Sequence, residues 1–142
     1  MGAKGLTGGC LCGAVRYRVE AVAEPATVCH CRMCQKAGGG PFMAYAPVAL
    51  ADFALTTGAL NIFRSSEIAE RGSCGTCGSP LTYRRLASDS ISVSLGSLDD
   101  PEAVAVTEQL AAEQMLNWLK PSLETPNLRL DDWLQSIQAP KT

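Results

Sequence analysis

Seven cysteines stand in three groups: Cys10-x-Cys12, Cys29-x-Cys31-x-x-Cys34 and Cys74-x-x-Cys77. Sulfurs at these spacings are metal ligands or redox partners. A C-x-C pair in an extended strand projects both sulfurs to one face, because side chains alternate with period two. A C-x-x-C turn also brings two sulfurs to one point. In "CGTCGSP", Gly75 and Gly78 allow the tight backbone that turns N–H groups toward sulfur. The pair and the turn together supply four thiolates, Cys10, Cys12, Cys74 and Cys77, the ligand set of a closed structural zinc site. Such a clip ties the first strand to a hairpin far along the chain and stabilises contacts that are distant in sequence.

The remainder is Cys29, Cys31 and Cys34, three ligands that leave one coordination position open, as catalytic zinc sites do. His30, the single histidine, lies between two of them. On a strand it points to the opposite face, so the expectation is a packing or surface residue and not a ligand. Spacing alone leaves two other groupings open. One is a single four-cysteine site with three spare thiols. The other is a redox pair at Cys31 and Cys34, since C-x-x-C lowers a thiol pKa. The redox pair leaves Cys29 without a role, and the sequence shows no strand-to-helix setting of the thioredoxin kind. Zinc uses all seven cysteines at known ligand spacings.

These groups must be positioned by a chain that reads mostly as strands. In "AVRYRVEA", Val15, Tyr17 and Val19 alternate with Arg16, Arg18 and Glu20, the period of a half-buried strand. "ATVCHC" is short and partly β-branched, and "PFMAYAPV" is apolar on both sides, as a buried strand requires. "ADFALTTG", "LNIFRSS" and "SPLTYRRL" follow, each bounded by turn residues. "SDSISVSLGSLDDP" sets Ile91, Val93 and Leu95 against serines. Many short strands with regular turn signals predict a mainly β domain. "TEQLAAEQMLNWLK", Thr107 to Lys120, favours a helix on propensity, with Pro121 to end it. "KPSLETPN" reads as a linker. In "LRLDDWLQSIQ", Leu130, Trp133, Leu134 and Ile137 recur at helical spacing, which predicts a short amphipathic C-terminal helix docked on its own domain, with a homodimer contact as the lesser reading.

The totals set bounds. The chain has 142 residues, 46% of them hydrophobic and 18% charged, which suits one globular domain. Net charge is −2, and no Lys/Arg cluster forms a stripe, so the electrostatic footprint of a nucleic-acid binder is missing. No apolar run is long enough to cross a bilayer. The N-terminus lacks the apolar core of a secretory signal, so the expected location is the cytoplasm. An odd cysteine count without an export signal argues against disulfides.

"TGGCLCGAVRY", "CHCRMCQKAGGGPF", "ERGSCGTCGSPL", "SVSLGSLDDP" and "NWL" occur in this order. They resemble the glutathione-dependent formaldehyde-activating enzymes, a family that also contains the zinc domain of centromere protein V. The resemblance covers about residues 5 to 120. It implies a zinc-bound β-tent of short antiparallel strands spanning residues 1–125, with a C-terminal extension over 126–142. It implies two zinc ions per chain: a structural one on Cys10, Cys12, Cys74 and Cys77, and a reactive one on Cys29, Cys31 and Cys34. The implied activity is that of a carbon–sulfur lyase, joining glutathione reversibly to formaldehyde as S-hydroxymethylglutathione. Where many members carry a histidine before the late tryptophan, Gln109 stands here. Following the family, Val104 to Leu110 is expected to be a strand.

Zinc with three thiolates carries a charge of −1 and is a weakened Lewis acid, but it can hold an incoming thiol as thiolate. The expected chemistry is therefore attack of a substrate sulfur on an aldehyde carbon, helped by proximity. Arg32 and Lys36 flank the triad and are the local candidates for the two glutathione carboxylates. Gly38, Gly39 and Gly40 form a plain turn or a place where backbone approaches a ligand. Two other readings stand beside this one. One is a zinc-stabilised binding or chaperone-like module without turnover. The other is a different thiol adduct or small electrophile on the same site.

Overall fold

The structure is a computed structural model that describes residues 3–23 and 25–138. Ten strands follow one another: β1 (Lys4–Gly9), β2 (Arg16–Ala21), β3 (Ala26–Cys29), β4 (Met43–Ala49), β5 (Phe53–Thr57), β6 (Leu60–Arg64), β7 (Ala69–Cys74), β8 (Pro80–Arg85), β9 (Ser90–Ser94) and β10 (Val106–Leu110). Helix α1 (Arg32–Gly38) lies between β3 and β4, and α2 (Leu119–Ser122) and α3 (Leu130–Gln138) follow β10. The strands make a three-stranded sheet, β1-β2-β5, and a seven-stranded sheet, β10-β3-β4-β9-β8-β7-β6. The domain is mainly β, as the strand patterns predict.

The alternation in β2 decides its faces. Tyr17 and Val19 are buried, while Arg18 and Glu20 point outward and pair with each other. The buried side chains meet Ala46 and Val48 of β4, Leu81 of β8 and Ile91 and Val93 of β9 in one core between the sheets. Burial of side chains of this size contributes about 1.5–3 kcal/mol each. β4 turns Ala46 and Val48 into this core and Met43 and Tyr45 toward Cys34 on the other face, which explains why its sequence is apolar on both faces.

"TGG" and "SLGSLD" are parts of one latch. The Tyr17 hydroxyl meets Ser97 Oγ at 2.7 Å. Asp99 accepts from Thr7 Oγ1 at 2.6 Å, and the Arg16 guanidinium pairs with it side by side. The Arg16 and Thr7 hydrogen bonds hold the Asp99 carboxyl down at about 2. Gly8 lies under this latch: a Cβ there would stand 2.5 Å from the Tyr17 ring and 2.6 Å from the Ser97 carbonyl oxygen.

Several expectations need correction. β10 runs parallel to β3, so the strands are not all antiparallel. A parallel neighbour needs a long crossover, and most of the domain is built between these two strands. The segment Thr107 to Lys120 is not a helix; it holds β10, a short 3-10 turn over Ala112–Gln114 and the start of α2. The strand begins at Val106 rather than Val104. Pro121 lies within the first turn of α2 and does not end it, since the first turn has no N–H partner to lose. Cys10 and Cys12 lie in a turn just past β1, not within a strand. Helix α3 forms where expected, but Leu130, Trp133 and Ile137 are 65%, 46% and 57% exposed, so its apolar face is not docked on the domain. No helix among the described residues is long and apolar enough to cross a membrane.

The latch gives a test. Gly8→Ala forces a methyl group into the Tyr17 ring and a backbone oxygen, and overpacking of this kind costs about 1–3 kcal/mol. Gly96→Ala places its methyl in open space. Urea unfolding is expected to show that loss for Gly8→Ala and a midpoint close to the parent for Gly96→Ala.

Candidate metal centres and the thiol cavity

The sulfurs of Cys10, Cys12, Cys74 and Cys77 all lie within 4.8 Å of one another. Cys10 and Cys12 are 3.6 Å apart, and Cys12 and Cys74 are 3.8 Å apart. These separations are far longer than a disulfide bond. A tetrahedron of sulfurs, each about 2.3 Å from zinc, has edges of about 3.8 Å, so the set fits that ion closely.

The local backbone treats these sulfurs as anions. Val15 N–H donates to Cys10 Sγ at 3.2 Å, and Thr76 and Cys77 N–H donate to Cys74 Sγ at 3.3 and 3.4 Å. Gly78, at φ +81°, takes the left-handed conformation that closes the second turn, and its N–H donates to the Cys74 carbonyl at 2.9 Å. Ser79 joins the two turns: its Oγ accepts from Leu11 N–H at 3.0 Å and lies 3.2 Å from Cys77 Sγ. The hydroxyl of Ser79, with nearby backbone N–H groups, draws the Cys77 thiol down to about 5. Ser79 was not singled out by sequence; the signal was its place directly after "CGTCG".

The second set, Cys29, Cys31 and Cys34, also has its sulfurs within 4.8 Å of one another. Cys29 ends β3, Cys31 caps the start of α1, and Cys34 lies in the first turn of that helix. Cys34 N–H donates to Cys31 Sγ at 3.3 Å. The strand-to-helix setting judged missing from the sequence is therefore present. A seven-residue helix with "GGG" behind it carried too little periodic signal to reveal it. Gly39 ends α1 at φ +72°, its N–H bonding to Gln35 O at 2.8 Å, so the glycines serve as the helix stop.

His30 contributes nothing to the sulfur cluster. It is buried, with Nε2 2.8 Å from Gln109 Oε1 and its ring edge-on to Phe42. Gln109, in the position where relatives were expected to carry histidine, is thus the partner of the buried imidazole. Gln35, also buried, donates from Nε2 to the carbonyls of His30 at 2.7 Å and Gln114 at 3.2 Å. It ties the triad loop to the segment after β10.

A cavity of about 280 Å³ opens onto all three cysteines of the triad, walled by Tyr45, Ile68, Arg71, Tyr83 and Leu110 among others. Leu110 pairs with Cys29 across the parallel strands, so β10 forms one side of the site. A neighbouring hollow of about 460 Å³ shares Met33, Tyr45 and Arg71 and adds Lys36. Lys36 therefore lines the hollow next to the triad cavity. Arg32 does not: its guanidinium turns back to Gln35 Oε1, and it lines neither space.

Arg71 is the residue that sequence reasoning missed. It donates to Cys34 Sγ at 3.6 Å and to Tyr45 Oη at 3.0 Å, and it lies over the Tyr83 ring at 5.0 Å. The sequence of β7 carries no apolar alternation that marks it; in the structure Cys74 faces the core and the clip, while Ala69 and Arg71 face the cavity. Burial pushes the Cys34 thiol up to about 12, opposed by Arg71. Burial likewise pushes Tyr45 up to about 12, so its phenol is protonated at neutral pH.

Gln35→Ala leaves the His30 and Gln114 carbonyls without their donor, and an unmet buried carbonyl costs about 1–3 kcal/mol. Thermal or urea unfolding is expected to register a loss of that size.

A family model described as the glutathione-dependent formaldehyde-activating enzyme matches residues 5–114. A crystal structure of a Rhodobacter sphaeroides protein, a structural-genomics target, is similar with a TM-score of 0.60 at 25% identity. That similarity covers 72% of this chain and 98% of that one. No curated protein matches the sequence. With more than half of its length inside the family match, the chain belongs to the glutathione-dependent formaldehyde-activating enzyme family.

Proposed function

We propose that the protein is a zinc-dependent enzyme of carbon–sulfur lyase type, which adds the thiol of glutathione to formaldehyde and reverses that addition. The observation that carries this reading is the three-sulfur cluster at the floor of a cavity. Three thiolates leave zinc one position to fill, whereas the four-sulfur clip is complete without a substrate. Zinc held by Cys29, Cys31 and Cys34 would keep the glutathione sulfur as thiolate at neutral pH.

The chain's own residues account for binding and orientation. Met33, Tyr45, Tyr83 and Leu110 wall the cavity around the reacting sulfur. Lys36, on the rim of the neighbouring hollow, is placed for a glutathione carboxylate. Arg32, the other candidate, has its guanidinium committed to Gln35 and is set aside. In the forward direction the thiol proton leaves to solvent, and the sulfur lone pair forms the C–S bond. The carbonyl π pair moves onto oxygen, and that oxygen takes a proton from solvent. No oxidant or reductant is needed.

A binding module without turnover has no use for the open cluster, and this distinction defines the test. The purified protein is expected to hold two zinc ions. It is expected to speed exchange between formaldehyde and S-hydroxymethylglutathione, followed by NMR. Cys31→Ser should keep the fold and one zinc ion but lose the acceleration, while Cys77→Ser should fail to fold stably. Exchange at the uncatalysed rate by the fully loaded protein would overturn the assignment in favour of a binding role.

A further inference from the structure

Arg71 lies within 4 Å of no carboxylate among the described residues; Arg32, Arg64 and Arg85 also lack one but are exposed, whereas Arg71 is half-buried. A guanidinium taken partly out of water needs anionic or polar partners, and the Cys34 sulfur is the one anion-forming group in the structure that touches Arg71 among the described residues. The groups that hold Arg71 are a cysteine sulfur, a phenol oxygen and an aromatic face. Of its five N–H groups, two make these hydrogen bonds, and the other three have no protein acceptor among the described residues. The cavity that it walls is the one that opens onto Cys29, Cys31 and Cys34.

We propose that Arg71 is a catalytic residue whose guanidinium stabilises the negative oxygen that forms as the thiolate adds to the aldehyde, and that Tyr45 and Tyr83 hold it in place. This rests on the thiol–aldehyde reading given above. The carbonyl carbon becomes tetrahedral as the C–S bond forms, and its oxygen becomes an alkoxide until solvent protonates it. That charge is absent from both free substrates. A fixed cation aimed at it lowers the barrier without tightening ground-state binding. Arg71 is fixed in advance: Tyr45 Oη accepts from one terminal nitrogen, Cys34 Sγ takes the other, and Tyr83 lies beneath. The Tyr45 and Tyr83 rings also contact each other, with centroids 5.9 Å apart, so the two supports brace one another. Removal of one such preorganised donor costs about 10²–10³ in rate in enzymes that use them.

Two rival roles make different predictions. As an anchor for a glutathione carboxylate, Arg71 would act on KM. As a counter-charge for the sulfur cluster alone, it would act on zinc content. The experiment compares the zinc-loaded parent with Arg71→Ala and Arg71→Lys. It measures zinc per chain, glutathione affinity by calorimetry, and kcat and KM for the formaldehyde reaction. The expected result for Arg71→Ala is two zinc ions, glutathione affinity within threefold of the parent, and kcat lowered about 100-fold or more. Arg71→Lys, which keeps the charge without the fork, should recover part of that loss. The proposal is overturned by a kcat within threefold of the parent, by a loss confined to KM and glutathione affinity, or by loss of one zinc ion. An inert parent overturns the thiol–aldehyde reading and this proposal together; an active parent with an equally active Arg71→Ala overturns this proposal alone.

Discussion

Four sulfurs from two turns, separated by 62 residues between Cys12 and Cys74, meet at one point. A metal ion held at that junction would fasten the end of β1 to the turn between β7 and β8. It would thereby set the three-stranded sheet against one end of the seven-stranded sheet. The core between the sheets is made of side chains whose faces are fixed by this closure, with Cys10 and Cys74 themselves among the buried residues. A small domain with long-range strand pairing gains most from such a clip, because the closed loop is long. The Ser79 hydroxyl and the N–H groups around Cys10 and Cys74 lower the cost of gathering negative sulfur there.

The same strand serves both cysteine clusters. β7 ends in Cys74, which belongs to the clip, and three residues earlier it carries Arg71. The odd separation places the two side chains on opposite faces. Holding Cys74 therefore also holds Arg71 against Cys34, although no residue of the triad comes from β7. From the other side, parallel pairing brings Leu110 of β10 next to Cys29, and Gln35 binds the carbonyls on both sides of the junction. The triad loop is thus enclosed by elements from the first third, the middle and the last third of the chain.

The cysteine spacings made both clusters legible, because ligand number and loop length are local properties of sequence. Strands with apolar alternation, such as β2 and β9, were legible for the same reason. β7 was not: "AERGSC" has almost no apolar alternation, and at Gly72 the space a side chain would take is filled by Thr82 and Leu60. The orientation of β10 was invisible because pairing direction is decided by where the chain returns, not by which residues it contains. Arg71 carries no signal of its own in the sequence; the register opposite Tyr83 gives it a place in the cavity. The misplaced hope for Arg32 has the opposite cause. Nearness in sequence to Cys31 put it on a helix face that turns toward Gln35.

The spacing of the two clusters also orders events in time. Cys34, the last ligand of the triad, precedes Cys77, the last ligand of the clip, by 43 residues. At about 5–20 residues per second of synthesis, that gap lasts roughly 2–9 s. The three sulfurs with an open fourth position are therefore all present on the nascent chain before the clip can close. A cell that makes this protein presents a local, incomplete thiol cluster first and the closed one afterwards. The order in which the two ligand sets become available is written into the order of the codons.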